Sequence, residues 1–172
     1  SIMVALPFTI VFIALQKEIV VWIFGVDFEY GYLSLAGLAL VVPLVWVNGI
    51  LGSCVGLTTN GKAFTLLLAI AAAVNIAGNW VLVPICLEAF GAGGGGFGVT
   101  FATLVTELAV VLGVLRIIPH KIVGPRLAGQ LVAVCVFSMV LLAGSLYIDD
   151  LPLLVRMAGA VVLSGLALLA SG

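Results

Sequence analysis

The sequence predicts an all-α integral membrane protein of six transmembrane helices, and three observations predict it. Of 172 residues, 65% are hydrophobic and 8% are charged, where soluble domains carry about 25% charged residues. Several uninterrupted apolar runs exceed the roughly 20 residues needed to cross a bilayer. Between the runs lie turn residues, and the cations gather on alternate turns. A soluble domain of this length could not hide so much apolar surface. Uninterrupted apolar runs of this length also cannot build a closed barrel, which leaves helices.

The segments are drawn at 2–24, 31–57, 63–86, 96–117, 127–148 and 151–170. The first carries Pro7 and the pair Lys17-Glu18, and it ends at Gly25 with Asp27. The second contains Pro43, which is expected to kink it by removing a backbone donor. Its Gly49, Gly52 and Gly56 fall on one side and suit close helix contact. Thr58-Thr59-Asn60-Gly61 leads into the third segment. The glycine run from Gly91 to Gly98 then leads into the fourth. This run satisfies G-x-G-x-x-G at Gly91, Gly93 and Gly96. No strand precedes it and no βαβ unit follows, so it reads as a flexible turn that starts the next helix, not as a nucleotide fingerprint. Pro119 and Gly124-Pro125 precede the fifth segment, and Asp149-Asp150 the sixth. Pro152 suits the first turn of that last helix, where its missing N–H is not needed.

Loop charge assigns an orientation. Lys62, Arg116, Lys121 and Arg126 lie on one set of connections, together with His120. The other set holds Asp27, Glu29, Glu88, Asp149 and Asp150 and no cation. By the positive-inside rule both ends of the chain are expected in the cytoplasm, in a multi-pass arrangement with the acidic loops outside. The basic loop suits anionic headgroups of the bilayer, and nothing in the chain forms the basic patch that nucleic acid requires. The chain opens at Ser1 without an initiator Met and reads as a piece of a longer or processed protein.

Polar residues inside the apolar runs are the candidates for function. Asn75 and Asn79 are four apart and share a helix face; Thr100, Thr103 and Glu107 share another. Counting outward from the glycine turn puts Asn79 level with Thr103 and Asn75 level with Glu107, near mid-depth. A polar group left alone there costs several kcal/mol. Glu107 is the sharpest candidate. It can be protonated when closed off from water and ionised when wetted, a basis for coupling to H⁺ or Na⁺. It can equally be a neutral Glu bonded to Asn75 that merely joins two helices. Asn75 and Asn79 suit either sugar hydroxyls or interhelical bonds, and Asn48 with Ser53 poses the same choice.

Lys17 and Glu18 fall about 10 Å from the outer end of a straight first helix. They read either as a pair snorkelling to solvent or as Lys17 facing a cavity. Arg156 is expected to snorkel toward Asp149 and Asp150. Cys54, Cys86 and Cys135 lie in or beside apolar runs without metal-ligand spacing, so zinc and iron–sulfur centres are not expected. No nucleophile or base is placed to pair with His120, and neither enzymatic catalysis nor a cofactor is anticipated.

The hairpin also resembles a known family. Asn75, Asn79, the exit Leu82-Val83-Pro84, Gly91-Ala92 and a small-residue helix ending in Thr106-Glu107 follow in an order similar to the C-terminal half of polysaccharide flippases. These belong to the multidrug/oligosaccharidyl-lipid/polysaccharide exporter superfamily. Pro7, Lys17-Glu18 and the exit Val21-Trp22-Ile23-Phe24-Gly25-Val26-Asp27-Phe28 extend the resemblance over residues 2–117. The longer glycine turn departs from the family's pattern. The resemblance implies one six-helix lobe of a two-lobed, MATE-like transporter in the bacterial inner membrane, partnered by an N-terminal lobe of the same protein. The implied substrate is a polyprenyl-pyrophosphate-linked oligosaccharide. Glu107, Asn75, Asn79, Thr103, Asn48 and Lys17 would line its path or that of an ion, with Lys17 meeting the pyrophosphate. A drug or cation antiporter of the same superfamily is the nearest alternative, and a non-transport membrane scaffold the next.

Overall fold

The computed structural model describes residues 2–56, 61–118, 152–153, 155–160 and 162. Among the described residues the elements are α1 (Ile2–Ala14), α2 (Gln16–Phe24), a 3₁₀ turn (Val26–Gly31), α3 (Tyr32–Gly56), α4 (Gly61–Phe90) and α5 (Gly94–Ile117), with no strand. Three helical stretches are long and apolar enough to cross a membrane: Val26–Gly56, α4 and α5. The expected segment 127–148 and most of 151–170 lie outside the described residues; residues 155–160 are helical.

The first expected segment is not one straight helix. It bends by 77° between α1 and α2, at Leu15 (φ −118°, ψ 24°). Neither Pro nor Gly stands at that position, and Pro7 lies within α1 without ending it. By contrast, Pro43 sits inside a continuous α3 and Pro84 inside a continuous α4. Helix breaks without Pro or Gly need an inserted group that takes a backbone partner. Arg156 is placed to be that group: its Nη1 donates to the Ala14 carbonyl beside the break at 3.3 Å.

α5 is the middle of the assembly. It packs against α4 on one side and α3 on the other, while α3 and α4 hardly meet. α1 runs antiparallel along α3, fastened where the Thr9 hydroxyl donates to the Ala39 carbonyl at 2.9 Å. The apolar core follows these contacts and includes Ile10, Ile13, Leu40, Leu44, Leu51, Val55, Val111 and Val114. α4 fully buries only Ala71 and Cys86, half-buries the edge that meets α5, and exposes the rest.

The glycine run does two jobs. Only residues 91–93 form the turn; Gly94 to Gly98 are already helical, so α5 begins two residues ahead of the expected boundary. Those glycines let two backbones touch. A Cβ on Gly94 would overlap the Cys86 carbonyl, and one on Gly98 would lie 2.8 Å from the Leu82 carbonyl oxygen. Small residues at such contacts are what membrane helix pairs use, because dispersion and close approach must stand in for a hydrophobic drive.

These contacts set the hairpin register. Gly94 faces Cys86-Leu87, Gly98 faces Leu82-Val83 and Gly78 faces Ala102. Stepping along, Asn75 is level with Val105 and Asn79 with Phe101. The expected pairing with Glu107 and Thr103 is therefore displaced by two residues, about 3 Å of rise. The register is fixed by the backbone contacts at Gly94 and Gly98 and not by symmetric counting from the turn.

A candidate polar band and a charged cluster at the bundle end

The polar residues singled out in the sequence fall into two groups. The first is a band crossing α4, α5 and α3. Asn75 stands near the middle of α4, and Thr106 and Glu107 stand near the middle of α5. The Asn79 side-chain amide donates to Asn75 Oδ1 at 3.1 Å. Asn75 in turn donates to the Thr106 hydroxyl at 3.3 Å and, more weakly, to the Thr103 hydroxyl at 3.5 Å. Both hydroxyls donate back to carbonyls one turn earlier, Val99 for Thr103 and Ala102 for Thr106. This is how Ser and Thr satisfy themselves inside helices.

Glu107 turns away from α4. Its Oε2 accepts from Asn48 Nδ2 at 2.5 Å, and its backbone carbonyl accepts from the same nitrogen at 3.1 Å. The expected Asn75–Glu107 bond is thus replaced by Asn48–Glu107. The physical reason is the central position of α5: its Thr103/Thr106 edge meets α4, while the Glu107 edge meets α3. Spacing brought Asn75 and Glu107 to within about 3 Å of one level, but the partner of Glu107 was not legible. Thr100 is buried apart from the band, against Gly37 of α3, and donates to the Phe97 carbonyl. Ser53 donates to Gly49 within its own helix at 2.8 Å and does not join the band.

Apart from Glu107 the band consists of amides and hydroxyls, and the Glu107 carboxyl group meets the Asn48 amide. Two buried acceptors, Asn48 Oδ1 and Asn79 Oδ1, have no hydrogen-bond partner. Such atoms cost free energy unless something meets them. No group of three or more His, Cys, Asp or Glu side chains among the described residues could hold a metal ion. A cleft of about 290 Å³ lies elsewhere, between α1 and α3, walled by apolar residues such as Phe8, Phe12, Leu38 and Trp46.

The second group sits where α1 gives way to α2. Lys17 Nζ lies 4.7 Å from the centroid of the Tyr32 ring, at the first residue of α3, within range of a cation–π contact. Glu18 forms a two-point ion pair with Arg156, whose Nη2 meets Oε1 and whose Nη1 reaches Oε2 at 3.3 Å. Arg156 therefore pairs with Glu18; the acids toward which it was expected to snorkel, Asp149 and Asp150, lie outside the described residues. Gln16 is fully buried beside this cluster in sequence, with Oε1 unpartnered. Lys17 belongs to this end of the bundle and not to the band across α3, α4 and α5. Gln16 and the Glu18–Arg156 link were not legible, because a polar residue in a straight helix gives no sign that the helix will break beside it.

Comparison with protein-family models, with curated proteins and with solved structures finds no match for the chain.

Proposed function

We propose that the chain is a transporter lobe whose mid-depth band forms part of a substrate or ion path. The observation that carries this reading is Glu107, a carboxyl group halfway along a membrane-length helix, whose hydrogen-bond partner among the described residues is an amide. An ionisable residue at that depth is costly and marks function by default. The two buried amide oxygens without partners leave the band able to accept bonds from hydroxyls or from a hydrated cation.

The substrate class comes from the resemblance: a polyprenyl-pyrophosphate-linked oligosaccharide, flipped by alternating access between this lobe and an N-terminal lobe in the bacterial inner membrane. Asn48, Asn75, Asn79 and Thr103 offer donors and acceptors suited to sugar hydroxyls. Lys17, at the end of the bundle, sits where a headgroup phosphate would pass. Antiport of a drug or cation is the nearest alternative within this reading.

One observation favours a second reading, a non-transport scaffold. Most polar groups of the band are satisfied by one another, as packing glue would be. Glu107→Gln separates the two, because it keeps shape and hydrogen bonding and removes the titratable proton. With the protein in vesicles and a fluorescent polyprenyl-pyrophosphate oligosaccharide as probe, the transport reading expects near-normal folding and a flipping rate lowered by about tenfold or more, equivalent to about 1.4 kcal/mol. A Glu107→Gln protein that flips at the normal rate leaves Glu107 as packing alone.

A further inference from the structure

The break at Leu15 has a consequence for how this protein meets its membrane. α1 lies antiparallel along α3, with Thr9 against Ala39. Further on, Lys17 meets Tyr32 and Val20 lies against Gly31. The start of α2 is therefore level with the start of α3. The α4–α5 turn is at the same level, since Gly93 abuts the Tyr30 backbone and Gly96 abuts Ser34. Turned 77° from α1, α2 crosses the end of the bundle instead of continuing down a span.

What α2 and the 3₁₀ turn expose there is apolar and aromatic. Trp22 is 86% exposed, and Ile23, Phe24, Val26, Phe28 and Tyr30 are each more than half exposed. Phe24 and Phe28 pair with ring centroids 6.3 Å apart. Six large apolar or aromatic side chains are thus exposed within nine consecutive residues, the kind of concentration that marks an interaction surface. Asp27 and Glu29 are interleaved with them, and the 3₁₀ turn buries nothing. Glu18 and Arg156 fasten the other end of α2, with the Arg156 side chain 9% exposed.

We propose that α2 and the 3₁₀ turn form an interfacial shelf, lying in the plane of the membrane with Trp22, Phe24, Phe28 and Tyr30 seated at the headgroup–acyl boundary of zwitterionic lipid. Trp and Tyr concentrate at that boundary because their rings are apolar while their N–H or O–H stays wet. A helix with an apolar face and a charged edge rests at that depth. The charges select the lipid class. Lys17 is held at Tyr32, Glu18 is paired, and Asp27 and Glu29 repel anionic headgroups, so electrostatic attraction to an acidic surface plays no part. The shelf is independent of the transport reading and survives its failure.

The test is a spin-label scan of positions 17–19, 21–24 and 26–30 in protein reconstituted into phosphatidylcholine bilayers, with Cys54, Cys86 and Cys135 replaced by Ser. Accessibility to oxygen, which partitions into lipid, is compared with accessibility to a water-soluble nickel chelate. A shelf gives an oscillation of about 3.6-residue period along α2 with no net change of depth. A continuous span instead gives a steady drift, about 10 Å of depth between positions 17 and 24, and overturns the proposal. Low accessibility to both reagents across Trp22–Tyr30 means that protein covers the patch, a second copy or another part of the protein, and also overturns it. High nickel accessibility throughout means water and does the same. Trp22 fluorescence, with Trp46 and Trp80 changed to Phe, gives a second readout that perturbs no shelf residue. Bromine near the headgroup should quench it at least about twofold more than bromine at the chain end, the contrast expected of a ring at the boundary.

Discussion

Asn48→Ala tests the link between α3 and α5 most directly. In the native protein Asn48 Nδ2 serves two acceptors on Glu107, the carboxylate at 2.5 Å and the backbone carbonyl at 3.1 Å. Truncation removes both and leaves the carboxyl group without its partner. Interhelical hydrogen bonds measured in membranes average about 0.6 kcal/mol and reach about 1.7. Leaving a buried acceptor unpaired costs about 1–3 kcal/mol. The carbonyl contributes the smaller share, since it lies within α5 where the helix supplies its own donor. A destabilisation of about 1.5–2.5 kcal/mol is expected from these terms. The assay is reversible unfolding in mixed micelles, run as a cycle of Asn48→Ala, Glu107→Leu and the double variant. Residues in one hydrogen-bonded unit should show a coupling energy of at least about 0.5 kcal/mol. Additive losses, with coupling indistinguishable from zero, would refute the claim that Asn48 holds Glu107. The parallel cycle on Asn75 and Thr106 should couple more weakly, because that bond is longer at 3.3 Å.

Three further outcomes are expected. Gly98→Ala should loosen the α4–α5 pair by several kcal/mol, because its Cβ would press on the Leu82 carbonyl in a core that cannot give way; Gly95→Ala, with nothing nearer than 3.8 Å, should be close to neutral in the same unfolding assay. Arg156→Gln should let the first segment straighten, and spin labels at positions 8 and 24 should then report a separation rising from about 19 Å to about 24 Å, from the rise per residue and the 77° bend; an unchanged distance would show that Arg156 follows the bend without causing it. Cysteine labelling at positions 29 and 62 should reach 29 only from outside and 62 only from the cytoplasm, as the loop charges require, and the reverse pattern would sink that orientation.

The sequence by itself determined the membrane-length helices. Apolar runs long enough to cross a bilayer admit only helices within it, and α3, α4 and α5 appear where the runs do. It also placed Asn75 and Glu107 near the middle of their helices, because position follows from counting along a helix of known rise. Even so, the hairpin register shifted by two residues, since counting cannot tell which backbone carbonyls of α4 the glycines Gly94 and Gly98 will abut.

The tertiary structure decided everything that depends on a second helix. Which side of α5 each polar residue meets follows from its place between α3 and α4. Glu107 consequently bonds to Asn48, 59 positions away in sequence, and not to the Asn75 of its own hairpin. The break at Leu15 is the sharpest case. Nothing local marks it, because the group that takes the Ala14 carbonyl is a guanidinium 142 residues along the chain. Local sequence sets helix propensity and position along a helix, whereas a donor that meets a carbonyl beside a helix break, as Arg156 meets Ala14, can come from anywhere in the chain.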